Sequence, residues 1–587
     1  MTNLRRDAFP RLYLAILFCG CFLMAMHTAY SQTGNESLGT GAGASITSGD
    51  YNVFIGDSSG TNMSTGSHNS FLGYRSGFSS TSATDNTFIG RDAGYSNTTG
   101  ADNTFVGARA GMLSTATDNT FIGSEAGYVN TTGADNTFVG EQAGYENSSG
   151  SRNVFVGEDA GYHNSTGYDN TFLGRTAGRD NTTGYRNTYV GNESGFDSEN
   201  GHHNTAVGDS SLTDNSSGTH NTSIGAASLA ATEYGSYNTA VGAYAGWDNN
   251  RTNDNNNANR NTYLGAFAGY SNRRGEDNVG IGARADFNNT DRSRTTFIGA
   301  DALAGDNDVV AIGYHAEARG IFSILVGGQS STTTNGDRSI AIGYDADIAN
   351  QNSIAIGYDA DIAKQNSIAI GYNTDVTGAN SVAIGYQSQV NVDNEVYLGN
   401  VTTSAIGGIV NWSATSDKRF KKDVSENVPG LVFIDLLRPV TYHFDAEKMA
   451  EFEGYNLDRS LRKAALIKAG IRYSGFLAQD VQEAAESLGF EFSGVKVPAN
   501  PETEAYGLRY AEFVVPLVKA TQELHAIIQK QDQQLAAQAD INKSQEAKLA
   551  AYQQLLAELG ARISILEAQA IPSNQSSKGT NEVSPNR

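Results

Sequence analysis

Cysteine is nearly missing from this chain: its 587 residues hold two, Cys19 and Cys21. Both fall in an apolar run from Leu12 to Met26 that follows Arg5, Arg6 and Arg11 and leads into Ala29-Tyr30-Ser31. A basic start, an apolar middle and small residues at a cleavage site are the parts of an export signal, read here as residues 1–31. Its removal leaves no thiol, which excludes disulfides and cysteine chemistry from the rest. Long apolar runs are missing beyond Met26, so no helical membrane span is expected, and the mature chain is expected to be secreted or held at the cell surface.

Proline is sparse in a patterned way. Of eight, none lies between Pro10 and Pro429. Proline cannot donate a backbone hydrogen bond, so its absence suits a strand ladder in which every turn bonds to the next. Lysine is equally scarce there, with Lys364 alone before Lys418. The balance of 63 acidic against 40 basic residues, a net charge of −23, repels phosphate backbones and anionic lipids, so nucleic acid is excluded as a partner. The nine histidines are scattered without an HExxH pair; neither a metal nor a cofactor is expected.

What fills the proline-free region is a repeat. Phe54, Phe71, Phe88, Phe105, Phe121, Phe138, Phe155, Phe172 and Tyr189 each precede an aliphatic residue and a glycine, at steps of 17 residues with one of 16. The spacing continues through Ala206, Ser223 and Ala240, breaks before Tyr263, and tightens to 14 at Ala341, Ala355, Ala369, Ala383 and Tyr397. Short β runs such as Thr104-Phe105-Val106 alternate with Asn, Asp and Gly, which tolerate tight turns. This predicts a mainly β solenoid over residues 50–399; about 22 coils with strands about 4.8 Å apart would give a stalk on the order of 100 Å. A 14-residue coil such as Asn352 to Gly357, with the small Ala355 opposite its two isoleucines, has so few large apolar groups that it is expected to bury little by itself and to need neighbouring coils and two further copies of the chain, as a homotrimer.

The 14-residue coils, with Ser339-Ile340-Ala341-Ile342-Gly343, Asn352 to Gly357, Asn366 to Gly371 and Asn380-Ser381-Val382-Ala383-Ile384-Gly385, resemble the head repeat of trimeric autotransporter adhesins of the YadA type. That resemblance implies a left-handed parallel β-roll in a trimer. The last hundred residues lack the alternation of the membrane-anchoring β-barrel with which those adhesins end.

Composition changes past Gly399, where residues 400–415 read as a linker. Ser416-Asp417-Lys418-Arg419-Phe420-Lys421 then places a hydroxyl and an amine five residues apart. A serine alcohol is a poor nucleophile until a base takes its proton, and a desolvated lysine can be that base. The segment resembles the Ser-Asp-x-Arg-x-Lys opening of the intramolecular chaperone domain of phage endosialidases and tail spikes. Downstream blocks are similar in order: Gly430-Leu431, Ile434 to Tyr442, Tyr473-Ser474-Gly475-Phe476-Leu477-Ala478-Gln479-Asp480-Val481, Tyr510, Pro516 to Ala520 and Gln522-Glu523-Leu524, with a long insertion between Phe444 and Tyr473 that reads as a helical excursion. The resemblance implies that residues 416–514 form a small α+β domain that guides folding of the trimer and then cuts the chain once between Thr415 and Ser416, with Ser416 as nucleophile and Lys421 as general base. Asp417 and Arg419 read as a salt bridge holding the loop, and His443 as a structural histidine.

From Leu517 a heptad runs through Leu524, Gln531, Gln538, Gln545, Tyr552, Leu559 and Leu566, with Ile528, Leu535, Asn542, Leu549, Leu556 and Ile563 on the alternate seam. This predicts a coiled coil over residues 515–569, followed by a polar, disordered tail over 570–587. The functional expectation is an exported trimeric fibre with a self-processing chaperone; the alternative is a surface adhesin whose C-terminal domain remains attached and catalytically silent. A cell-surface or glycan ligand for the stalk stays open.

Overall fold

A computed structural model describes residues 34–250, 257–286, 291–333, 335–410, 412–454 and 457–570. The export signal expected at 1–31, and all of the expected tail beyond Ala570, lie outside the described residues. The chain divides into two units, one ending at Asn400 and one beginning at Val401.

The first unit is a parallel β-solenoid. Three-residue strands from Glu36–Leu38 to Val396–Leu398 pair coil upon coil in a 23-stranded sheet with no slip of register, so that Phe105 lies over Phe121 and Phe121 over Phe138. The ladder passes from Ala240 directly to Tyr263. The shorter coils begin earlier than the alanine column suggests, since Phe297 already pairs with Ala311 and Ala311 with Leu325. These coils gain a second parallel sheet of seven short strands, from Leu303–Ala304 to Gln389–Val390.

In the large sheet, from Val53–Ile55 to Val382–Ile384, the central residue of each strand points inward and its neighbours outward, as the two-residue period requires. Phe71 through Phe172 are fully buried and stack at 4.7 to 4.8 Å, with rings within 8° of parallel. In the 17-residue coils one chain thus encloses a continuous aromatic column by itself. The expectation that a 14-residue coil buries little by itself is corrected: these coils have alanine in that column but fill the interior from the second sheet with Ile348, Ile362, Val376 and Val390, all at most 2% exposed.

Where the column residue shrinks, another grows. Gly144 (φ +61°) lies so close to Phe138 that a Cβ there would meet the ring at 2.4 Å. In the coils of Ala206 and Ser223 the corresponding positions are Leu212 and Leu229, fully buried at φ +54° and +44°. Leucine there accepts left-handed strain to fill the volume that phenylalanine fills elsewhere.

A second column is polar. The Asn136 backbone N–H donates to Asn119 Oδ1 at 3.0 Å, and its own Nδ2 donates to the Gly150 carbonyl at 2.9 Å; Asn153 repeats both bonds one coil on. The ladder thereby satisfies corner groups that would otherwise be buried without partners. In the 14-residue coils the Oγ atoms of Ser339, Ser353 and Ser367 accept from the next coil in the same way.

Strict register also aligns like charges. Asp347, Asp361 and Asp375 lie opposite one another on successive strands. Burial against adjacent coils, then the charges of Asp347, Asp359 and Asp375, push the Asp361 carboxyl up to about 6, although its edge reaches solvent. A folded-state value above the ordinary one means that the folded chain binds the proton more tightly, so stability is gained as pH falls from about 7 toward 4 and lost as it rises. Asp361→Asn is expected to raise the thermal midpoint at pH 7.5 and to flatten that slope; an unchanged slope would remove Asp361 as its source.

The second unit has its own core, where Phe433 meets Val481, Ala484, Ala485 and Phe513 and packs edge-on against Phe490 and Phe492. Its helices are α1 (Leu431–Leu436), α2 (Ala446–Phe452), α3 (Arg459–Ala469), α4 (Ala478–Ser487) and α5 (Val514–Gln569). Strands Val440–His443 and Arg472–Gly475 pair antiparallel, with α2 and α3 between them in sequence. Helix α5 runs for 56 residues and buries only Pro516 and Ala520, while Leu535, Leu549, Leu556 and Ile563 are more than half exposed. Among the described residues no helix is long and apolar enough to cross a membrane.

Candidate functional site

Residues 412–415, just before Ser416, have no regular secondary structure. Asp417 then caps a single 3-10 turn, Lys418–Phe420, by accepting from the Arg419 N–H at 2.8 Å. The Arg419 guanidinium returns to the same carboxylate with bonds of 2.6 and 3.0 Å, which hold Asp417 below the usual carboxylate range. The partners of the anticipated salt bridge are thus each other within one chain. The turn reverses the backbone, so Lys421 at its end directs Nζ to Ser416 Oγ, to which it donates at 2.8 Å. The structure therefore brings together the two residues singled out by the resemblance; Thr415 lies beside them as an exposed residue.

Chemically this is a hydroxyl and an amine in hydrogen-bond contact, but both side chains are exposed. An amine in open water stays protonated and donates; it becomes a base for the alcohol when water is excluded from it. In one chain the pair is placed but not covered.

The other motif blocks prove to be joints of the domain. A Cβ on Gly430 would lie 2.6 Å from Glu523 Oε2, and that carboxylate accepts from the Leu431 N–H at 2.7 Å, tying the start of α1 to α5. Arg438 binds Asp480 of α4 at 2.6 Å. The Tyr510 hydroxyl accepts from the Phe476 N–H at 3.1 Å and would meet a Cβ on Gly475 at 2.3 Å. Gly475 to Gln479 is a strand entering α4, and His443 binds the Ala469 carbonyl through Nδ1 at 2.9 Å, a structural contact. Sequence reasoning found these blocks by their order yet did not pair Gly430 with Glu523 or Gly475 with Tyr510. Glycine beside a strand or helix start was the available signal.

Sequence reasoning also missed an apolar groove of roughly 650 Å³ between α2, the start of α4 and the 501–510 loop, lined by Tyr442, Phe452, Phe476 and Tyr506 among others. Its residues come from distant parts of the chain, so no local pattern announces it.

Comparison with known families agrees with this division. Residues 416–490 match the family described as chaperone of endosialidase, beginning at the serine of the Ser416–Lys421 pair. Residues 326–346 and 363–388 match the YadA head domain repeat in two copies. The architecture is that of adhesin-type head repeats followed by an intramolecular chaperone domain of a family known for autoproteolysis. No curated protein gives a match to the chain.

Proposed function

We propose that this chain is an exported homotrimeric fibre or stalk protein, a left-handed parallel β-roll over about 50–399, whose domain at 416–514 assists trimer folding and then cuts the chain between Thr415 and Ser416. The observation that carries this reading is the 2.8 Å contact from Lys421 Nζ to Ser416 Oγ at the residue where the chaperone match begins. In the reaction Oγ gives its proton to Lys421 and attacks the Thr415 carbonyl carbon. The carbon–nitrogen bond breaks as the Ser416 nitrogen takes that proton, and water hydrolyses the resulting ester to a Thr415 carboxylate, restoring the hydroxyl. It occurs once per chain.

Two surfaces support the trimer. Along the whole solenoid the third strand position is aliphatic and outward: Leu38, Leu72, Ile122, Leu173, Ile224, Leu264, Ile342 and Ile384 are each 38 to 52% exposed. A lengthwise apolar stripe of this extent fits burial against other copies. The exposed heptad face of α5 asks for the same partners, as a coiled coil over 515–569. Parallel β structure in three chains folds slowly, and a helical clamp that associates first would fix its register.

The openness of the Ser416–Lys421 pair in one chain favours a second reading, a surface adhesin that keeps an uncut, silent trimerisation foot. Sedimentation with intact mass separates the two. A trimer of chains ending at Thr415 supports processing, uncut chains in the trimer support the adhesin, and a stable folded monomer removes both.

A further inference from the structure

The Lys418–Lys422 segment and the groove beside α2 have complementary surfaces, and both are uncovered in a single chain. The segment presents one aromatic ring, Phe420 at 75% exposed, flanked by Lys418, Arg419, Lys421 and Lys422. The groove has aromatic walls, Tyr442, Phe452, Phe476 and Tyr506, and carries Asp445 and Glu504 against one cation, Lys448. The α2 sequence adds Glu447 and Glu451 close by. At roughly 650 Å³ the groove has room for the ring and the methylene stems of its neighbours. An aromatic anchor in an apolar pocket, with basic side chains meeting an acidic rim, is the pattern of a specific protein contact.

We propose that the groove of one subunit receives Phe420 and its basic flanks from a second copy of this chain. The inference rests on the homotrimer reading and adds the contact by which one subunit holds its neighbour's Ser416–Lys421 turn. Seating Phe420 removes the turn from water at the residue next to Lys421, so the amine loses the hydration that keeps it a donor. The groove residues position the turn; they do not touch the reacting atoms.

The near absence of cysteine makes the contact measurable. In full-length Ser416→Ala chains with Cys19 and Cys21 replaced by serine, one tagged population carries Lys422→Cys, beside an intact Phe420, and a differently tagged one Met449→Cys, a position lining the groove. After co-expression and treatment with a short bismaleimide, two-tag linked pairs are expected at least about tenfold more abundant than when Trp412→Cys replaces Lys422→Cys. A sedimenting trimer without linked pairs overturns this proposal and leaves the homotrimer standing; absence of the trimer overturns both. Equal linking from position 412, or a Lys422→Cys/Met449→Cys chain that links only within itself, overturns the second-copy occupant. A second readout is Phe420→Ala in the otherwise unaltered chain: processing is expected to slow at least about tenfold with the trimer intact, and unchanged processing counts against the proposal.

Discussion

Chains carrying Ser416→Ala are expected to remain whole in the folded trimer, whereas the unaltered chain yields a stalk ending at Thr415 and a C-terminal piece beginning at Ser416. The side chain lost is a small exposed hydroxyl whose one recorded bond is to Lys421, so folding has no reason to suffer and the effect isolates chemistry. Losing the nucleophile should slow cleavage by at least about a thousandfold. Ser416→Cys should retain cutting, since a thiol is the better nucleophile. Lys421→Ala should match Ser416→Ala, and Lys421→Arg should not rescue it, because guanidinium does not give up its proton. Asp417→Ala should cost far less, as the Asp417–Arg419 pair is exposed and shapes the turn without meeting the reacting atoms. Intact mass of the purified trimer reads every case; continued cutting at the same bond in Ser416→Ala chains removes the assignment.

The second large effect lies in the aromatic column. Phe138→Ala removes a fully buried ring stacked at 4.8 Å on Phe121 and 4.7 Å on Phe155, and should cost about 3 to 5 kcal/mol per chain. Gly144→Leu alone should also destabilise strongly, because its Cβ would start 2.4 Å from the Phe138 ring. Together the two changes recreate the arrangement of Ala206 with Leu212, which the chain already uses at a similar backbone angle. The double variant should therefore be more stable than either single one, with a coupling of at least about 2 kcal/mol in denaturant midpoints. Additive losses would show that the Ala206 coil depends on its surroundings and not on this exchange of volume.

Much of this molecule is legible in order along the chain because its repeats make distant contacts periodic. Phe105 and Phe121 touch for the reason that makes them recur, and one coil read correctly gives the inward residue of every other. The same regularity exposes Asn136 and Ser353 as ladder residues once the coils are stacked. Ser416 and Lys421 were legible through the resemblance of their segment to the chaperone family, and the contact between them needs only a single local turn. What escaped was the interior of the 14-residue coils. Ala355 looked too small to fill a core, and only the second sheet shows that Ile362 supplies the missing volume.

By itself the sequence determined that the chain stacks in short parallel strands and where its composition changes, both of which follow from local spacing and from the hydrogen bond that proline cannot make. The Ser416 hydroxyl and the Lys421 amine were picked out by resemblance to the chaperone family. Only the tertiary structure decided that a single chain closes its aromatic column, that the Leu431 N–H meets Glu523 across 92 residues, and that α2 and the 501–510 loop frame an acidic-rimmed groove. Those outcomes depend on volumes and charges meeting from remote parts of the chain, and remoteness leaves no period to read.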